Sequence, residues 1–230
     1  MVCLILGLID AHGVALRQAG TINNDPNIAI HLDGWNKLKP YGLSIHGAVD
    51  GFSRRVLWLK CCDSDKKPMY ISSFYIDYIR EINGIPVRVY GDSGTENAIV
   101  RDVQLALRWT DADQYEGILS FVYVSSNRKV RIERFWRSLR EMCGNVWMNH
   151  FKDMSDFGLL DTSDSVHLEC IRYCFLPVIS KDLNEVYNIW NSVRRNNRIA
   201  CPAGKPEVLF FQPEVYGARD CKYHWLTIGN

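Results

Sequence analysis

The sequence predicts an α/β fold, a five-stranded mixed sheet flanked by helices with a C-terminal helical extension, and three observations lead there. The first is the alternation of residues 28–33, IAIHLD, which puts Ile28, Ile30 and Leu32 on one side, the period of a half-buried strand. The second is a change of period between Pro68 and Asn83, where Ile71, Phe74, Tyr75, Tyr78, Ile79 and Ile82 recur at spacings of three and four, the stripe of an amphipathic helix. The third is order. Strand-like runs come first and then alternate with helices, so a meander passes into crossover connections and the sheet becomes mixed.

The elements follow in turn. After residues 28–33, runs at Leu43 to Val49 and Val56 to Cys61 flank the turn-rich DGFSRR and read as antiparallel strands. Gly84 closes the helix that begins at Pro68, and Pro86 opens a short strand, PVRVYGD, with Asp92 at its carboxyl end. A helix is expected from about Glu96 to Trp109 and a fifth strand over Leu119 to Val124. Ser125, Ser126 and Asn127 then supply capping residues for a helix running to Gly144, with Ile132, Phe135, Leu139 and Met142 as its apolar stripe. Helical patterning resumes from Val166 to Arg195, broken near Pro177, and the tail from Cys201, punctuated by Pro and Gly, reads as an ordered wrap with a frayed end. This order of strands and helices is that of the ribonuclease H-like fold. The segments divide into an N-terminal piece over 1–25, a core over 26–150, a helical extension over 151–200 and a tail over 201–230.

With 230 residues and 47% hydrophobic content, the chain has enough apolar material for a buried core. Twenty-seven basic and 26 acidic residues nearly cancel, so any nucleic-acid signal has to be local. The eight cysteines are scattered, without a C-x-x-C pair, which points to free thiols in a reducing compartment. Cys170 and Cys174, one helical turn apart, read as core thiols, and no His or Cys spacing suits zinc. The opening MVCLILGLI is too short to span a bilayer and no Lys or Arg precedes it, so no membrane partner is expected. It reads as a piece that packs against something upstream in a longer parent chain.

The residues that carry chemistry are acidic. Asp33 lies in the first strand, Asp92 at the end of the fourth, and Glu133 in the helix after the fifth, with 58 and 40 residues between them. The first and fourth strands can lie side by side, and a helical Glu133 can face both. Crowded carboxylates repel unless a cation neutralises them, and magnesium takes hard oxygen ligands of this type. Spacing alone leaves the choice open, since 26 acidic residues offer many triplets. Asp50 is the main rival, but it sits in a D-G-F-S turn where Asp and Gly serve geometry.

The surrounding motifs settle the choice. HLDGWNKL, AVDGFSRR, GDSGTEN and SSNRKVRIERFWRSLRE, in that order, closely resemble the integrase core of retroviruses, retrotransposons and transposon-derived cellular genes. The resemblance continues through CIRYCFLPVISKDLNEVYNIWNSVRR into CPAGKPEVLFFQPEVYG and covers about residues 28–217. It implies a DDE-type integrase or transposase, a polynucleotidyl transferase that cleaves phosphodiesters and transfers DNA strands. Asp33, Asp92 and Glu133 are then the ligands of two Mg²⁺ ions, with Mn²⁺ as a substitute. DNA is the implied partner, homo-oligomers the implied assembly, and the nucleus or cytoplasm the implied location. Two departures stand out: the Asp92–Glu133 interval exceeds that of retroviral enzymes, and no His-His-Cys-Cys zinc domain precedes the core.

The helix bearing Glu133 carries six basic residues in thirteen, Arg128, Lys129, Arg131, Arg134, Arg137 and Arg140. Lys129, Arg137 and Arg140 lie four before, four after and seven after Glu133, on its own face, and are expected with Arg134 to contact DNA phosphates. Asn97 either caps the helix it opens or contacts DNA, Gly94 is expected to permit a tight turn beside Asp92, and Trp136 is expected to pack. Arg194, Arg195 and Arg198 form a second basic group, read equally as a solvated surface or as a contact to flanking DNA. The alternatives are a domesticated, catalytically silent descendant that binds nucleic acid or protein, and a ribonuclease H-like nuclease for RNA in hybrids.

Overall fold

The computed structural model describes residues 24–63, 67–110, 113–124, 130–196 and 202–224. The expectations for the opening apolar segment, the Ser125–Asn127 cap, Lys129 and Arg198 fall outside the described residues.

Strands β1 (Ala29–Trp35), β2 (Ser44–Asp50) and β3 (Val56–Cys62) form the antiparallel meander, with Leu32 opposite Ala48 and Gly47 opposite Leu59. Helix α1 (Pro68–Glu81) carries the chain across to β4 (Arg88–Gly91), which pairs in parallel with β1. A 3₁₀ turn over Thr95–Asn97 leads into α2 (Ala98–Leu107), and β5 (Phe121–Tyr123) then pairs in parallel with β4. The strand order β3-β2-β1-β4-β5 gives the five-stranded mixed sheet of the ribonuclease H-like fold.

Alternation along the strands sends side chains to two cores. Ile30, Leu32, Ala48 and Val89 pack with Ile71, Tyr75 and Ile79 of α1 and Val100 of α2 on one face. Trp35, Ile45, Val49 and Leu59 meet the other layer. That layer is built from α3 (Val130–Leu139), α4 (Asn145–Asp156) and the long α5 (Ser165–Ser192), through Ile132, Phe135, Leu139, Phe151, Ile179, Leu183 and Trp190.

Two helix ends differ from expectation. Gly144 does not stop its helix: α3 passes through a π-helical segment, Arg140–Gly144, straight into α4. The glycine is there for contact, because a Cβ at Gly144 would lie 2.8 Å from the Trp35 ring. Nor does Pro177 break α5, which runs unbroken for 28 residues from its Asp164 cap, whose carboxylate accepts the Val166 N–H at 2.8 Å. Pro177 lies on the solvent side, and the carbonyl four residues back belongs to the exposed Tyr173, so water can take the place of the missing N–H. Cys170 and Cys174 likewise lie on the exposed side of α5, not in the core, while the inward stripe falls to Ile171 and Ile179.

Asp50 has the turn role assigned to it. Its fully buried carboxylate accepts the N–H groups of Asn27 (2.9 Å), Phe52 (3.1 Å) and Ser53 (2.7 Å) and the Ser53 hydroxyl (2.7 Å), and burial still pushes its pKa above the usual value. The segment before the last described residue folds back: Tyr223 bridges to Ile85, and its hydroxyl bonds Asp113, which also pairs with Arg108. A short helix, α6 (Pro206–Phe211), brings Phe210 into the first core on the way. Among the described residues no helix is long and apolar enough to cross a membrane.

Candidate functional site

β1 and β4 are parallel neighbours with Ala29 beside Arg88, Ile30 beside Val89 and His31 beside Tyr90. Asp33 lies two residues past His31 on β1, and Asp92 follows Gly91, the last residue of β4, so both stand at the same end of this strand pair. Both aspartates are partly buried, at the end of the pairing where β4 gives way to the turn into α2.

Each is held by a side-chain N–H from a helical segment. Asn97, the last residue of the 3₁₀ turn before α2, donates Nδ2–H to the Asp92 carboxylate (2.7 Å) and reaches its backbone carbonyl (3.4 Å). Gly91 leaves room for that amide, since a Cβ there would meet it at 3.3 Å, and the Gly94 N–H adds a longer bond to the same carboxylate oxygen (3.3 Å). Gly94 has φ −65° and ψ 148°, a conformation open to any residue, so backbone freedom is not its function. Its missing side chain makes room for the Glu96 carboxylate, which folds back over it.

On the other strand, Trp136 of α3 donates its indole Nε1–H to Asp33 Oδ2 at 2.8 Å. The indole reaches this far because β2 presents Gly47 beneath it: a Cβ there would lie 2.8 Å from the ring. Packing was expected for Trp136, but the bond to Asp33 was not. The sequence signal was the three-residue spacing from Glu133 together with the rule that a buried indole N–H finds an acceptor.

Glu133 is exposed in the first turn of α3, one turn before Trp136 and so on the adjoining flank. Two of the three carboxylates thus stand at one end of the β1–β4 pair, and the third sits on the helix that Trp136 ties to Asp33. Among the described residues no three His, Cys, Asp or Glu side chains are gathered into a cluster able to hold a metal. The donor set suits a hard divalent cation even so, since it offers carboxylate oxygens and neither thiol nor imidazole.

The expected DNA-contact residues divide. Asn97 is buried with its amide turned to Asp92, so its geometry is that of a positioning group. Arg134, Arg137 and Arg140 are exposed on α3 and the π-helical segment, with Arg140 Nε donating to Asn145 Oδ1 at 3.0 Å.

A family model described as "Integrase core domain" matches residues 22–208. No curated protein matches this chain. Among solved structures, the chain is similar to the HTLV-2 integrase catalytic core domain in complex with magnesium. Its trimeric form gives TM-score 0.46 and 15% identity, covering 75% of this chain and 90% of that one. The dimeric form gives TM-score 0.45 and 15% identity, covering 76% and 94%. A simian T-cell lymphotropic virus intasome in complex with PP2A regulatory subunit B56 gamma gives TM-score 0.48 and 15% identity, covering 86% of this chain and 59% of that one.

Proposed function

The chain belongs to the integrase core domain family, and from that premise we propose that it is a DNA integrase- or transposase-like polynucleotidyl transferase, with Asp33, Asp92 and Glu133 as its metal-holding carboxylates. The observation that supports this reading is the pair of aspartates at the same end of two adjacent parallel strands, Asp33 within β1 and Asp92 just past the end of β4, each carboxylate held by an N–H from a helical segment.

The reaction is in-line attack on a phosphodiester. A P–O bond forms to water in end processing, or to a DNA 3′-hydroxyl in strand transfer, as the bond to the leaving oxygen breaks, and no covalent protein intermediate is needed. Asp33, Asp92 and Glu133 would hold two Mg²⁺ ions, which when bound would supply activation of the attacking oxygen and stabilisation of the departing one. The chain's own residues provide placement. Trp136 fixes one oxygen of Asp33 and Asn97 fixes one of Asp92, so neither carboxylate rotates freely. Arg137 and Arg140, one and two turns along α3 from Glu133, offer guanidinium forks to phosphates next to the reacting one. DNA is then the substrate, several copies of the chain the working assembly, and the nucleus the place of action on chromosomal DNA.

The test is divalent-dependent nicking and joining of duplex DNA. Asp92→Asn is expected to abolish both with either Mg²⁺ or Mn²⁺ while leaving the thermal melt in place, and undiminished activity would sink the assignment. A chain that binds DNA in chelator but never cuts it is the silent descendant. One that cuts only the RNA of hybrids is the nuclease.

A further inference from the structure

A cavity of about 360 Å³ opens beside α3, on the side away from its buried stripe of Ile132, Phe135, Trp136 and Leu139. Among the described residues that line it, six are arginines, Arg54, Arg131, Arg134, Arg137, Arg194 and Arg195, and none is acidic. They come from three places in the chain: the β2–β3 turn, α3, and the segment after α5. The basic group on α3 and the one past α5, separate in sequence, share one groove.

Two of the arginines are tethered, and four of the six pair with no carboxylate among the described residues. Arg54 adopts a left-handed backbone (φ 66°), its carbonyl accepts the Trp190 indole N–H at 2.8 Å, and its guanidinium donates to the carbonyls of Asn196 (3.3 Å) and Pro202 (2.8 Å). The Arg195 guanidinium carbon lies over the Trp190 ring, 4.0 Å from its centre, and its nitrogen donates to the Trp190 carbonyl at 3.4 Å. Carbonyls orient the Arg54 guanidinium, and a ring face and a carbonyl orient that of Arg195. Among the described residues Arg134, Arg137, Arg194 and Arg195 form no ion pair with any carboxylate. Like charges gathered in this way repel, and an anion relieves the repulsion.

We propose that this groove binds the sugar–phosphate backbone of DNA and holds the flank of the duplex beside the carboxylates. Guanidinium forks match phosphate oxygens bidentately. Arg131, Arg134 and Ser138 form a row along α3 roughly 10 Å long at the helical rise. That is about three nucleotide steps along one strand. Arg137 adjoins both this row and Glu133, so a strand can pass from the carboxylates into the groove without leaving positive charge. The choice of DNA as the polyanion rests on the function proposed above, whereas the groove's affinity does not depend on catalysis.

The test measures binding of a 30-base-pair duplex in chelator across a sodium chloride series, by fluorescence anisotropy. The double variant Arg134→Gln/Arg194→Gln is compared with Lys152→Gln/Lys181→Gln, which removes the same charge elsewhere. The arginine pair is expected to weaken binding about tenfold or more near 0.1 M salt and to lower the log–log salt slope by about 2, at roughly 0.9 per lost phosphate contact. The lysine pair is expected to change affinity less than twofold. Equal effects of the two pairs, or an unchanged slope, would overturn the proposal. If the double variant fails to melt cooperatively, each single arginine variant is expected to lower the slope by about 1. Loss of tripolyphosphate binding with the DNA slope intact would assign the groove to a small anion and also overturn it. If the slope falls but the wild-type chain never nicks DNA, the catalytic reading fails and the groove stands. If the wild-type chain nicks DNA but the slope is unchanged, the groove fails and the catalytic reading stands.

Discussion

A buried indole has to place its N–H on an acceptor, and Trp136 places it on the carboxylate of Asp33, which ties the helix carrying Glu133 to the strand carrying its partner. Trp136→Phe keeps most of the ring contact and removes the donor, and it is expected to lower stability by about 1.5–3 kcal/mol, the range for a hydrogen bond to a charged group. Positioning and simple packing separate in kinetics. The variant is expected to show a lower nicking kcat and a higher half-saturating Mg²⁺ concentration with an unchanged KM for DNA, whereas a loss of packing alone would leave the metal dependence untouched. At this scale the acids were legible because Asp33, Asp92 and Glu133 sit in ordered motifs. Their supports were not, because Trp136 reaches Asp33 only across Gly47 of β2, and nothing within HLDG or RIERFW specifies which strand faces the indole. Asn97 stood in plain view within GTEN, but its burial against Gly91 turns it from a surface contact into the support of Asp92.

Helical period is a local property, so α1, α2 and α3 could be read to within a few residues. Helix termination depends on distant packing, which is why Gly144 and Pro177 mislead. Gly144 looks like a stop until Trp35 is seen against it, and Pro177 looks like a break until its side of α5 proves to face solvent. Pro177 still removes one hydrogen bond from the middle of a 28-residue helix. Pro177→Ala is therefore expected to stabilise the protein by about 1–3 kcal/mol, read as a higher urea midpoint at constant m-value. A lower midpoint would mean that the ring makes packing contacts worth more than the lost bond.

Across the whole molecule, the order β3-β2-β1-β4-β5 follows from a meander followed by crossovers, and it was legible because strand and helix periods alternate cleanly in the sequence. The tail from Cys201 was legible as an ordered wrap from its Pro and Gly, but where it lands was not, since it carries no period. Burial pushes Asp113 toward a higher pKa, but hydrogen bonds from the Tyr223 hydroxyl and the Tyr115 N–H, together with the Arg108 charge, hold it below its ordinary 3.8. Arg108 also lies over the Tyr223 ring, 3.7 Å from its centre. A carboxylate whose folded pKa is depressed stabilises the fold fully above the unfolded value and loses that contribution as pH falls through the folded one. The difference in urea midpoint between the wild-type chain and Tyr223→Phe is therefore expected to shrink as pH drops through and below 3.8, and a constant difference would show that the clamp does not titrate. The π-helical segment Arg140–Gly144 has a consequence of another kind. Upstream of it the rod's angular phase is set by Trp136 on Asp33, and downstream by Phe151 in the core. One residue of α-helix is about 100° of rotation. The wide turn works as a vernier that absorbs the mismatch between those two settings, so losing a single residue from it would turn Glu133 away from the aspartates by that angle with every side chain of the site intact.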